Sequence, residues 1–178
     1  MHKRGAKFAV PLAVVSAAVL AVSTGLALAS GTSGGRLIHV YEADTSLSGN
    51  LGTVVLTGAI TDHGTDCQGC DLTNGYNVLD LSKGSFEIDV SKVGNKLDNL
   101  PVDQTTCSSD GTVAGPVPIV PDSGTGAYQG ISGALNVHVS AASILPRLEK
   151  GECDTNATQY PGILIVKGSG TVTYKGSN

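Results

Sequence analysis

Cys67 and Cys70 form a Cys-Gln-Gly-Cys motif inside the Gly- and Asp-rich stretch Asp62 to Gly75. Such a pair can exchange disulfides, hold a metal or crosslink the chain. Exchange requires the first cysteine at a helix N-terminus that follows a strand, where the helix dipole favours thiolate. This stretch reads as a loop without a helix. A zinc site would recruit His63, Cys67 and Cys70, with Asp66 or Asp71 as a fourth ligand. Covalent haem attachment needs a histidine directly after the second cysteine, and Asp71 stands there.

Acid–base chemistry has other candidates. His39, His63 and His138 could each act as a base beside a carboxylate such as Glu42, Glu87 or Asp89, provided both faced a cavity. Glu87, Tyr128, Asn136 and His138 form the candidate set for an enzymatic site. Two motifs lose their meaning in context. Gly31-Thr32-Ser33-Gly34-Gly35 matches a nucleophile elbow but lacks the strand and helix that would strain the serine. Gly124-Thr125-Gly126 with Gly130 resembles a phosphate loop but leads into a strand instead of a helix N-terminus. No cofactor motif survives. Asn156-Ala157-Thr158 is a glycosylation sequon, meaningful only in a host that glycosylates.

The start of the chain sets the compartment. His2, Lys3, Arg4 and Lys7 precede an apolar run from Phe8 to Leu28, and Ala27-Leu28-Ala29 forms a small-residue cleavage site before Ser30. Residues 1–29 therefore read as a signal peptide, and the protein as secreted. The alternative is an uncleaved, outward-facing N-terminal membrane anchor. After cleavage no stable membrane insertion is expected. An oxidising destination favours disulfides over zinc. Four cysteines permit three pairings, of which Cys67 with Cys70 and Cys107 with Cys153 is preferred.

The chain carries 11 basic and 15 acidic residues, and cleavage would remove Lys3, Arg4 and Lys7. The acidic remainder is a poor partner for nucleic acid, whose binding needs clustered Lys or Arg to displace counterions. With no Trp and Phe86 as the one phenylalanine beyond the leader, few aromatic platforms can be built.

These residues must be positioned by strands. Ser30 to Arg36 reads as a flexible tail, and residues 37–178 as one domain. Leu37 to Ala43, Thr53 to Ile60, Val78 to Leu81, Ser85 to Val90, Val117 to Val120, Leu135 to Ser140, Ile163 to Val166 and Thr171 to Tyr174 are β-branched or alternating stretches bounded by turn residues. Lys167-Gly168-Ser169-Gly170 reads as a turn between the last two. Helical spacing occurs only in the leader. The expected fold is all-β, a closed antiparallel barrel of about eight short strands, with a β-sandwich as the alternative.

Ser123 to Gly133 (SGTGAYQGISG) resembles the GTGxFxxARG segment of the dirigent and allene oxide cyclase-like β-barrels. A wider likeness to small exported bacterial proteins of unassigned function covers Cys107, Gly115-Pro116, Thr125 to Gly133, Gly151-Glu152-Cys153 and Gly168 to Tyr174, and more weakly Gly58 to Gly64. The resemblance implies a barrel in which Gly124 and Gly126 make a turn, Tyr128 packs in the following strand, and Gly130 and Gly133 bend it. Ser132 stands where plant dirigent barrels carry Arg, so their radical-coupling chemistry does not transfer with the fold.

Three functions follow as expectations. The leading one is a secreted, disulfide-stabilised barrel that binds a small, largely apolar molecule without hydrolytic or redox chemistry. The second is a cofactor-independent cyclase or isomerase that uses Glu87, Tyr128, Asn136 and His138. The third is an extracellular or cell-envelope protein-interaction module. The sequence does not reveal the oligomeric state.

Overall fold

The computed structural model describes residues 35–45, 52–71, 75–157 and 160–175, with the side chains of 68–71 excepted. The leader 1–29 and most of the expected tail lie outside these residues. Eight strands follow one another: β1 (Arg36–Asp44), β2 (Gly52–Gly58), β3 (Asp62–Asp71), β4 (Tyr76–Leu81), β5 (Gly84–Asp89), β6 (Ser108–Pro118), β7 (Ser132–Ile144) and β8 (Gly162–Thr173). A short helix, α1 (Ser91–Asp98), follows β5, and a 3-10 turn spans Gly126–Tyr128. The strands form one sheet in the order β5-β4-β3-β2-β1-β8-β7-β6, in which β1 joins the first and last parts of the domain. Every pairing between neighbours is antiparallel.

Period-two alternation decides which face is inside. Ile38 and Val40 of β1, Val54 and Leu56 of β2, Phe86 and Ile88 of β5, and Leu135, Val137 and Val139 of β7 all bury into one core. Their sequence neighbours Tyr41, Val55, Asn136 and His138 point outward.

The sheet curls into a half-barrel, which corrects the expectation of a closed barrel. The edge strands β5 and β6 form no ladder, and the seam carries a single bridge between Ile88 of β5 and Ile119, the residue after β6. Pro116 and Pro118 explain why. Both stay in register with β7, so their missing N–H groups fall on the opposite edge, where a ladder to β5 would need them.

The outer edge of β5 is satisfied by the segment after β6 instead. The Val120 N–H donates to the Glu87 carbonyl at 2.9 Å, and the Glu87 N–H donates to Ser123 Oγ at 3.0 Å. The Ser85 N–H donates to Thr125 Oγ1 at 2.9 Å, while the Thr125 N–H returns a bond to the Ser85 carbonyl at 2.8 Å. Hydroxyls thus stand in for part of a missing strand.

Several sequence boundaries are corrected. The stretch expected as a loop from Asp62 is the ten-residue strand β3, which carries the CQGC motif. Lys167 to Gly170 is not a turn, for β8 runs through it, paired with β1 on one side and β7 on the other. The strand count agreed only because one unforeseen strand replaced one that had been divided. Gly168 and Gly170 are required by space: a Cβ on Gly168 would lie 2.8 Å from Val137 Cγ1, and one on Gly170 would lie 2.0 Å from the Ala134 carbonyl. Strand β6 begins at Ser108, well before the expected Val117. Tyr128 lies in the 3-10 turn, not in the following strand, although Gly126, Gly130 and Gly133 do take positive φ.

Helix α1 was not expected. Val93 and Leu97, one turn apart, form a narrow apolar stripe that Gly94 interrupts. Asp89 holds its start by accepting from the Ser91 N–H at 3.0 Å and Ser91 Oγ at 2.5 Å. Lys96 Nζ ties it to β6 through the Ala114 carbonyl at 2.6 Å.

Cys107 and Cys153 form a disulfide with a Cα separation of 5.3 Å, as the sequence suggested. They pack with Leu145, Val102 and Tyr160 in a small second cluster. Cys67 is also disulfide-bonded, while the side chain of Cys70 lies outside the described residues. The Cys107–Cys153 bridge spans a separation of 46 residues, so restriction of the unfolded chain contributes about 4 kcal/mol. The Cys107→Ser, Cys153→Ser double variant should therefore unfold at clearly lower urea concentration, with a loss of about 3–4 kcal/mol read from the denaturation midpoints.

Candidate functional site

The inward face of β1 reads Ile38, Val40, Glu42, Asp44, changing from aliphatic to acidic along one strand. The inward face of β3 reads Asp62, Gly64, Asp66, and has no aliphatic residue. Register sets Gly52 of β2 opposite Asp66, and the same face of β4 contributes Asn77 and Leu79. Burial of an ionised carboxylate is costly unless donors or a counter-charge compensate it. Asp62 and Asp66, four residues apart on one face, meet that demand in opposite ways.

Asp62 is fully supplied. Its Oδ1 accepts from the Ser82 hydroxyl and from the His63 N–H at 2.8 Å. Its Oδ2 accepts from the Lys83 N–H at 3.1 Å and the Tyr128 hydroxyl at 2.5 Å. Burial alone would raise its pKa, but the bonds from Ser82, Tyr128, His63 and Lys83 outweigh it and hold the carboxyl at about 2. Burial and the Asp62 carboxylate together push the Tyr128 phenol upward, so it remains a donor. The Tyr128 ring meets Phe86 edge-on, with centroids 5.4 Å apart. This is a structural latch that pins the 3-10 turn to β3.

Asp66 lies at the other end of the same strand face, 1 % exposed. Its Oδ2 accepts from Asn77 Nδ2 at 2.9 Å, and its Oδ1 receives no bond from any N–H or hydroxyl. The neighbour acting on it is the Glu42 carboxyl, which can donate only when it carries a proton. Burial, and to a lesser extent the Asp44 charge, raise Asp66, the bonds from Glu42 and Asn77 lower it, and burial prevails, leaving it at about 6. Asp66 therefore keeps its proton to higher pH than an ordinary aspartate, with the Glu42 carboxyl beside it. Gly52 makes room for it, since a Cβ there would lie 2.7 Å from Glu42 Oε1.

Glu42, Asp66 and Asn77 form one end of a cavity of about 150 Å³ inside the half-barrel. The rest of the lining is aliphatic, including Val40, Leu79, Ile88, Val137 and Val166, with Val93 and Leu97 of α1 on one side. An outer cleft of about 580 Å³ shares Gly94, Leu97 and Leu164 with this cavity, so α1 forms part of the wall of both.

The four residues expected for catalysis do not converge here. Asn136 and His138 lie on the outer face of β7, and Glu87 on the outer face of β5 between the buried Phe86 and Ile88. Tyr128 is buried, but its hydroxyl belongs to Asp62. Of the zinc candidates, His63 is exposed on β3, Cys67 is oxidised and Cys70 lies outside the described side chains. A cysteine in a disulfide offers no thiolate to a metal. Among the described residues, no cluster of His, Cys, Asp or Glu has the arrangement of a metal site.

From sequence alone Glu42 is a candidate only as a partner for histidine, and Asp66 only as a zinc ligand. Asn77 was missed. The legible signal was parity in β1, which sets Glu42 on the face of Ile38 and Val40.

Fold and site together define a disulfide-bonded antiparallel half-barrel with an aliphatic cavity that ends in a buried acid pair. Comparisons with protein-family models, with curated proteins and with solved structures found no match to this chain.

The two aspartates bend the pH dependence of stability in opposite directions. Asp62, held below its ordinary 3.8, contributes stability that is present above that value and lost as pH falls through about 2. Asp66, raised above its ordinary 3.8, contributes stability that is present below that value and lost as pH rises through about 6. Thermal melting of the wild-type protein should decline between about pH 4 and pH 7, and Asp66→Asn should flatten that decline while leaving the loss below pH 4 in place.

Proposed function

We propose that this protein is a secreted, disulfide-stabilised binding protein that holds a small, largely apolar molecule inside its half-barrel, without hydrolytic or redox chemistry. The observation that carries this reading is the aliphatic cavity with Glu42, Asp66 and Asn77 at one end. Ligand sites are typically apolar hollows with a few converging polar groups. An engineered apolar cavity of ~150 Å³ admits benzene, which sets the scale of occupant for this interior at one ring or a short chain. The outer cleft beside Gly94 and Leu97 offers an approach, because α1 has only two large apolar anchors. The basic and apolar start of the sequence and the Cys107–Cys153 bridge support export. The likeness of Ser123 to Gly133 to the dirigent and allene oxide cyclase-like barrels points toward a ligand-holding β-fold.

One observation favours a second reading, cofactor-independent isomerisation or cyclisation. A buried carboxyl raised to about 6 in an apolar cavity suits proton transfer near neutral pH. In that case Glu42 and Asp66 would carry the chemistry in place of Glu87, Tyr128, Asn136 and His138.

Binding of toluene, followed by ligand-observed NMR, tests the cavity. The wild-type protein should bind it, and Val137→Phe, which fills the interior, should abolish binding while preserving the β circular-dichroism spectrum. Absence of binding to the wild type by toluene and by its amine and alcohol analogues would contradict the proposal.

A further inference from the structure

Asp66 Oδ1 is buried and has no N–H or hydroxyl donor, and the residue carrying it lines an otherwise aliphatic cavity. Among the described residues that line this cavity there is no Lys or Arg. Of the two lysines on the adjoining helix, Lys92 is exposed and Lys96 is engaged with the Ala114 carbonyl on β6. From the geometry we infer that the cavity selects a small apolar amine, with its ammonium group donating to Asp66 and Glu42 and its hydrocarbon body against Val40, Leu79 and Val137. This inference rests on the ligand-binding reading above and gives its ligand a chemical class.

Each class of occupant meets a different balance at this end. A hydrocarbon fills the apolar volume but leaves Oδ1 without a donor, so that atom's desolvation stays uncompensated. An alcohol supplies one neutral donor. An ammonium supplies up to three donors and a positive charge in surroundings where charge-assisted bonds are strongest. A carboxylate of the same shape brings like charge toward Glu42, Asp66 and the nearby Asp44, and is repelled. Asn77 keeps Asp66 Oδ2 occupied and leaves Oδ1 as the accepting atom. The selectivity resides in one oxygen.

The test compares toluene, benzyl alcohol, benzylamine and benzoate at pH 7.5 by ligand-observed NMR and calorimetry on the oxidised protein. Benzylamine should bind at least tenfold more tightly than toluene or benzyl alcohol, and benzoate should not bind. Asp66→Asn should bring benzylamine to within a few-fold of toluene, both measured on that variant. Should Asp66→Asn not fold, Glu42→Gln takes its place, with the same expected loss of amine preference. Equal affinity for toluene and benzylamine in the wild type would overturn this inference and leave the ligand-binding reading standing. So would an amine preference that survives both substitutions. Failure of all four probes to bind would overturn both.

Discussion

The structure depends on how an antiparallel sheet treats carboxylates that its own periodicity turns inward. Strand β3 has no aliphatic side chain on its buried face and carries Asp62 and Asp66 there instead. A buried carboxylate without donors is too costly to keep ionised, so it must be supplied with hydrogen bonds or retain a proton. At Asp62 the fold supplies donors from the β4–β5 turn, from β3 itself and from Tyr128. At Asp66 it supplies Asn77 and a second carboxyl. One end of the strand becomes a fastening and the other a chemically unfinished site.

That division organises the rest of the half-barrel. The latch at Asp62 anchors Tyr128, and the segment containing Tyr128 satisfies the outer edge of β5 that β6, with its two prolines, cannot pair. The seam remains irregular, and α1 packs beside it against β6, contributing Val93 and Leu97 to the wall of the cavity. Glycines 168 and 170 let β8 pass close to β1 and β7. The hollow that results is aliphatic except where β1, β3 and β4 deliver Glu42, Asp66 and Asn77.

Much of this was readable in the residues, and the exceptions have definite causes. Alternation in LIHVYEA and LNVHVS revealed β1 and β7, and the same parity sets Glu42 inside and His138 outside once Ile38, Val40, Val137 and Val139 are taken as core. Strand β3 was hidden because DHGTDCQGCD has the composition of a loop, and only pairing with β2 and β4 makes it a strand. Helix α1 was hidden because eight residues with Gly94 in the middle carry too little periodicity. The segment from Lys167 to Gly170 was misread because glycine marks a lack of space as readily as it marks a turn. The acid pair escaped notice because its partners come from three strands, one of which had not been recognised.

Two aspartates on one strand face are thus held in opposite protonation regimes, one fastened by donors and the other buried against a cavity. The most direct measurement is a carboxyl carbon-13 NMR titration of the oxidised protein with assignments for Asp62 and Asp66. Asp62 should show a midpoint near the acid limit of folding, at about 2, and Asp66 one at about 6. Midpoints for both aspartates at the ordinary carboxylate value would contradict these opposite regimes.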